Sequence, residues 1–205
     1  MTRCVLLLAC AACTGSRPVA LHGAAPAPAA DDYDDVLAAW TRSDKVYQGL
    51  DNKLFVTATY HAPELRRAFA VAFPDIYGHG GTITRRELVD LTEDIERYHN
   101  FFIAMYTPDP KWNDLAKPDS IWRLTLVGSG EVAVGPHEVV PIKVDENLRA
   151  VYPYIHRFDK CYLVRFPLAD PMRNLVIQGS TTGFTLRIAS ALGVGEMVWR
   201  LVPGA

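Results

Sequence analysis

Cysteine is scarce where a small secreted domain would use it. Of the four in 205 residues, Cys4, Cys10 and Cys13 crowd the first thirteen positions and Cys161 is alone in the rest, so the body forms no internal disulfide and Cys161 reads as an inert strand residue. An excess of charge of one sign is missing as well. Lys and Arg number 21 against 23 Asp and Glu, with no basic stripe interleaved with aromatics, which removes nucleic acid from the expected partners. No phosphate-cradling glycine loop is present. Ser129 lies between glycines in a strand-to-strand turn rather than on the strand-to-helix elbow of a hydrolase. His137-Glu138-Val139-Val140 opens like a zinc-protease helix, but Pro141 stands where the second histidine belongs and breaks the helix that motif needs. No catalytic, cofactor or metal residue is therefore assigned.

What is present begins with a leader. Arg3 supplies a positive charge, residues 5–12 form an apolar run far too short to span a bilayer, and small residues precede a cysteine. Leu7-Leu8-Ala9-Cys10 and Cys10-Ala11-Ala12-Cys13 both resemble the lipobox of bacterial lipoproteins, in which cleavage before a cysteine accompanies its lipidation. The resemblance covers the leader alone. It implies residues 1–12 as signal peptide and Cys13 as the lipidated residue, with Cys10 the alternative. A redox reading of Cys10-x-x-Cys13 lacks its βαβ context. Thr14 rather than Asp follows Cys13, which by the same resemblance implies the periplasmic face of the outer membrane. Residues 13–30, rich in Ala and Pro, read as an extended tether, leaving 31–205 as one globular domain.

The whole chain is 49% hydrophobic, enough for a packed core. Acidic residues at 31–35 ahead of Val36, Leu37 and Trp40 predict a short helix, since carboxylates suit a helix N-terminus. Leu54-Phe55-Val56-Thr57-Ala58-Thr59-Tyr60 alternates as a half-buried strand, and Pro63-Glu64 opens a helix directly behind it. Thr84-Arg85-Arg86-Glu87 is a capping box and starts a second helix, with Leu88, Leu91, Ile95 and Tyr98 on its buried stripe. Residues 100–107 read as a central strand, apolar on both faces. From Ile121 on, apolar sets alternate in short runs around Trp122, Val132, Tyr162, Leu175, Phe184 and Trp199, with a helical turn at 145–151. Pro136 and Pro141 confine 131–144 to a sheet edge or split it in two. The expected fold is α+β: an antiparallel β-sandwich of about seven to nine strands with an inserted pair of helices.

Two functional readings compete. In the first, the protein is a non-enzymatic, lipid-anchored envelope domain that binds a protein, peptide or polysaccharide. Its binding loops are 76–82 with His79 and 108–119 with Trp112, the latter also fit to fold back as a lid. In the second it is a periplasmic enzyme, for instance a metal-dependent hydrolase, whose site is assembled from His61, Asp90, Glu96 and His99. Within that set, Glu96-x-x-His99 has the spacing of a di-iron helix motif, and His61, His79 and His99 form the candidate histidine group.

Overall fold

The structure, a computed structural model, describes residues 19–20, 33–73, 97–128, 130 and 132–202. In chain order the elements are β1 (Val19–Ala20), α1 (Tyr33–Trp40), β2 (Thr41–Gln48), β3 (Asp51–Tyr60), α2 (Pro63–Ala72) and β4 (Tyr98–Tyr106), then a 3-10 turn (Pro110–Trp112). They continue with β5 (Arg123–Val127), β6 (Ala133–Val134), β7 (Glu138–Ile142), α3 (Glu146–Val151), β8 (Lys160–Pro167), β9 (Gly183–Ser190) and β10 (Gly193–Val202). Two sheets form, ordered β1-β10-β9-β5-β6 and β2-β3-β4-β8-β7. Every pairing is antiparallel except that of β1 with β10. This is the expected α+β sandwich, and eight of its strands are five residues or longer among the described residues.

The period-2 patterns explain the core. Leu54, Val56, Ala58 and Tyr60 of β3, with Phe101, Ile103 and Met105 of β4, face Phe184, Leu186, Ile188, Met197 and Trp199 of the other sheet, and all are buried. Phe101 meets Trp199 edge-on at 5.6 Å across the sandwich, and Trp199 stacks on Phe184 at 5.0 Å. The indole N–H of Trp199 donates to the Trp40 carbonyl (2.9 Å), tying the end of α1 into the core. Phe102, on the opposite face of β4, stacks on Tyr152 at 3.9 Å. Tyr33 donates to Val151 O (2.8 Å) and its ring meets Phe73 at 5.0 Å, so the three helices gather over that outer face.

Asp145 caps α3 by accepting from Leu148 N at 2.8 Å. β6 and β7 are edges of different sheets, so the proline-interrupted segment is both split and peripheral, with Pro141 opposite Tyr162 on an edge strand. The helix expected from Thr84 lies outside the described residues. Tyr98 and His99, read as its end, belong instead to β4, where they pair with Pro167 and Phe166; a long-range ladder outweighs a helical spacing visible only locally. The strand expected at 174–179 is a turn with a single bridge, Ala169 to Leu175. Asp170 accepts from both the backbone and the side-chain amide of Asn174 (2.8 and 2.9 Å) and Arg173 adopts φ +66°, which curls the chain before a strand can extend. Val176 then plugs the core, so close to Gly128 that a Cβ there would lie 1.6 Å from its carbonyl oxygen. Val19–Ala20, within the stretch read as tether, runs parallel to β10 with Val19 opposite Leu201.

Candidate functional site

Cys10, Cys13, His79, Asp90 and Glu96 lie outside the described residues. His61 and His99 are described, and the structure separates them. His61 Nε2 shares a 2.8 Å hydrogen bond with Tyr152, which stacks on Phe102; His99 Nδ1 shares a 3.1 Å bond with Tyr60, which packs on Phe101. Phe101 and Phe102 are consecutive in β4, so the two histidines face opposite sides of the sheet. Burial, with the charge of Arg66 second, lowers the His61 pKa to about 3, and burial lowers that of His99 to about 4. Both are neutral core histidines bonded to tyrosines.

The remaining chemical candidates are structural in the same sense. His137 stacks on Tyr98 at 4.9 Å at the start of β7, and Glu138 pairs with Arg165 on β8, so neither sits on a helix. Burial pushes the Cys161 thiol up to about 12, which leaves it protonated. No group of three or more His, Cys, Asp or Glu side chains is placed to hold a metal among the described residues. Trp112 is half-buried: its carbonyl accepts from the Trp122 indole (2.8 Å), while its ring carries the Lys111 ammonium 4.7 Å from the centroid. Lys111 in turn pairs with Asp109 at 2.9 Å.

The helices cover only part of the outer face of the β2-β3-β4 sheet, and the uncovered part is a groove of about 430 Å³. Register builds its floor. Ser43 lies opposite Thr57, Lys45 opposite Phe55, and Phe55 opposite Tyr106, all on the face away from the core. The 156–159 turn is the wall, closed by the Asp159 carboxylate accepting from His156 N at 2.7 Å. It is held in place by Arg149, which donates to Ile155 O (2.9 Å), and by Tyr154, whose hydroxyl shares a 2.6 Å bond with Thr59.

Across this face runs an unbroken row of cations and rings. Lys45 Nζ stands 5.1 Å from the Phe55 centroid, Phe55 lies 6.0 Å from Tyr106 with their planes 24° apart, Tyr106 lies 6.4 Å from Phe158, and Arg157 covers Phe158 at 5.8 Å. Phe158 is 71% exposed. Among the described residues neither Lys45 nor Arg157 has a carboxylate partner. The Ser43 and Thr57 hydroxyls bond one another at 3.1 Å rather than a base. Such an arrangement can stack and attract; it holds no activated nucleophile. A second hollow of about 270 Å³ opens where β6 ends after two residues and leaves Arg123 and Leu124 beside Pro136 and His137.

The sequence carries one signal for this groove. Phe55 is a large ring on the outward side of a strand whose next outward residues, Thr57 and Thr59, are small and polar. No family model matches the chain, and neither does any curated protein or solved structure. The geometry alone defines it as an α+β protein on an antiparallel sandwich, with an open aromatic groove on one sheet.

Proposed function

We propose that the protein is a lipid-anchored envelope component, held through Cys13 at the periplasmic face of the outer membrane, whose sandwich binds a partner in the groove without transforming it. The observation that carries this reading is the row from Lys45 to Arg157: Phe55 and Tyr106 half-buried on the sheet, Phe158 exposed on the 156–159 turn, and a cation beside the ring at either end. Large apolar side chains are costly to expose, and grooves with a few convergent polar groups are the usual place for recognition.

The tether supports an orientation. β2 runs antiparallel beside β10, with Arg42 Nε donating to Val198 O (3.0 Å) and Glu196 N donating to the Asp44 carboxylate (2.7 Å). Val19 therefore joins the sandwich at the end far from the β2-β3 turn. With Cys13 only six positions before Val19, the link can span at most roughly 20 Å, which would keep that end near the lipid and turn the 156–159 wall outward.

Cys13→Ser in a Cys10→Ser background is expected to move the protein from the detergent phase to the aqueous phase, because acyl chains provide the anchoring, about 0.8 kcal/mol per buried methylene. A photo-cross-linker at position 158 in intact cells is expected to capture an envelope component. Retention of the double variant in the detergent phase would overturn the anchor; no captured species would overturn the groove as a recognition surface.

A further inference from the structure

Apart from the groove, we infer that the open edge of β5 is a docking site for an extended acidic peptide, which adds a strand where β6 stops and sets carboxylates against Arg123 and Lys117. The ladder itself makes the opening. Leu126 faces Val134 and Val127 faces Ala133, so the same register carried on would set Leu124 opposite Pro136. Proline has no N–H to donate, and past Val134 the chain crosses to β7 in the other sheet. The direction of the Leu124 backbone follows from the bonds on either side of it. Gly128 N donates to Val132 O, so Gly128, Leu126 and Leu124 are the residues whose N–H and C=O point toward β6. On the other side, Leu201 N donates to Thr182 O, which leaves Thr185, Arg187 and Ala189 of β9 to bond Val127, Thr125 and Arg123. Leu124 is 5% exposed, and neither its N–H nor its C=O has a partner among the described residues. A buried rung of this kind needs a donor and an acceptor together, which is what one residue of an added strand presents. A free anion would meet the N–H and leave the C=O bare.

Charge and alternation set the sequence of that strand. Lys117 and Arg123 line the 270 Å³ hollow, and among the described residues neither has a carboxylate partner. Arg123 donates only to the carbonyls of Ser120 and Trp122 (2.7 and 3.4 Å). The one lining carboxylate, Glu138, keeps its charge but pairs with Arg165, so three cations stand against one anion at this corner. Asp114 and Asp119 of the neighbouring loop are not part of the lining. Along an added strand, the residue opposite Leu124 would face the apolar side with Leu115 and Val139, whereas its neighbour would face outward beside Arg123, where an opposite charge is favoured. The opposite corner of the sandwich offers no such edge, because Arg42 and Asp44 bind the β10 backbone there.

The test uses the full-length protein in detergent, labelled for amide NMR, with acetyl-Glu-Val-Glu-Val-Glu-amide as probe and calorimetry for affinity. Comparisons are the same peptide with Gln for Glu, the peptide N-methylated at both valines, and sodium glutamate. The acidic peptide is expected to shift the Leu124 amide and slow its hydrogen exchange. It should bind roughly fivefold more tightly than the Gln peptide, the scale of two exposed ion pairs, with the advantage shrinking at high salt. Arg123→Gln together with Lys117→Gln should remove that advantage and leave binding of the Gln peptide unchanged. Both side chains are exposed, and an unchanged circular dichroism spectrum would show the fold retained. Absence of binding, equal binding of the N-methylated peptide, or a Leu124 amide that does not respond would each overturn strand addition. Equal binding of the Gln peptide would overturn the acidic class, and a response to sodium glutamate equal to that of the peptide would reduce the site to an anion subsite and overturn the peptide.

Discussion

At the scale of single residues, burial makes the sharpest expectations. Trp122 and Trp199 are fully enclosed, and Trp199 also holds the Trp40 carbonyl. Either Trp→Ala change should cost about 3–5 kcal/mol in urea unfolding, through a cavity that a sandwich interior cannot close. Trp112→Ala is expected to cost only about 1 kcal/mol, because the Trp122 hydrogen bond uses its backbone carbonyl and only the contact with Lys111 and some half-buried area are lost. The two tyrosine-bonded histidines set the pH dependence. A histidine with a folded pKa below its unfolded value, near 6.5, takes up its proton in the unfolded chain first, so acid favours unfolding. With folded values of about 3 for His61 and about 4 for His99, the stability present above pH 6.5 should be lost progressively as pH falls toward those values. Urea midpoints between pH 7.5 and pH 4.5 would show it, and His61→Phe should flatten the slope.

At the scale of elements, what was legible depended on whether local chemistry or a distant partner made the element. The β3-α2 junction, the α3 cap and the paired edges around Pro136 and Pro141 could be read because alternation, capping residues and proline act within a few positions. β2 could not. Thr41-Arg42-Ser43-Asp44-Lys45-Val46-Tyr47-Gln48 buries only Val46 and has no apolar pattern, and it is a strand because β3 offers a ladder and β10 accepts its side chains. The tightest point of that approach is Gly193, at φ +139°, where a Cβ would lie 2.5 Å from Val46 Cγ1. Gly193→Ala should lose about 1–3 kcal/mol through the positive φ and overpacking together, and Val46→Ala in the same chain should return the overpacking part. Additive losses in that double-mutant cycle would show the two strands to be further apart than the structure places them.

At the scale of the whole molecule, the sandwich was legible from short alternating runs, whereas the groove was not, because it is assembled from β2, β3, β4 and the 156–159 turn at separations that no local pattern reports. Its residues follow ordinary outward positions and gain meaning only from register. The same register binds the two sheets into one unit. Phe101 and Trp199 meet across the interface, Trp199 holds the end of α1, and Arg42 and Asp44 fasten the edge of one sheet to the edge of the other. Separating the sheets would expose the apolar faces of both at once, so neither has a folded state without the other, and unfolding should be a single transition. Three of the four tryptophans, Trp40, Trp122 and Trp199, are fully buried, so their fluorescence reports burial of the core, while far-ultraviolet circular dichroism reports the strands themselves. The two signals should therefore share one midpoint in a urea titration. A fluorescence change well ahead of the loss of strand signal would mean that the sheets part before they melt, and the edge bonds from β2 to β10 would then be too weak to couple them.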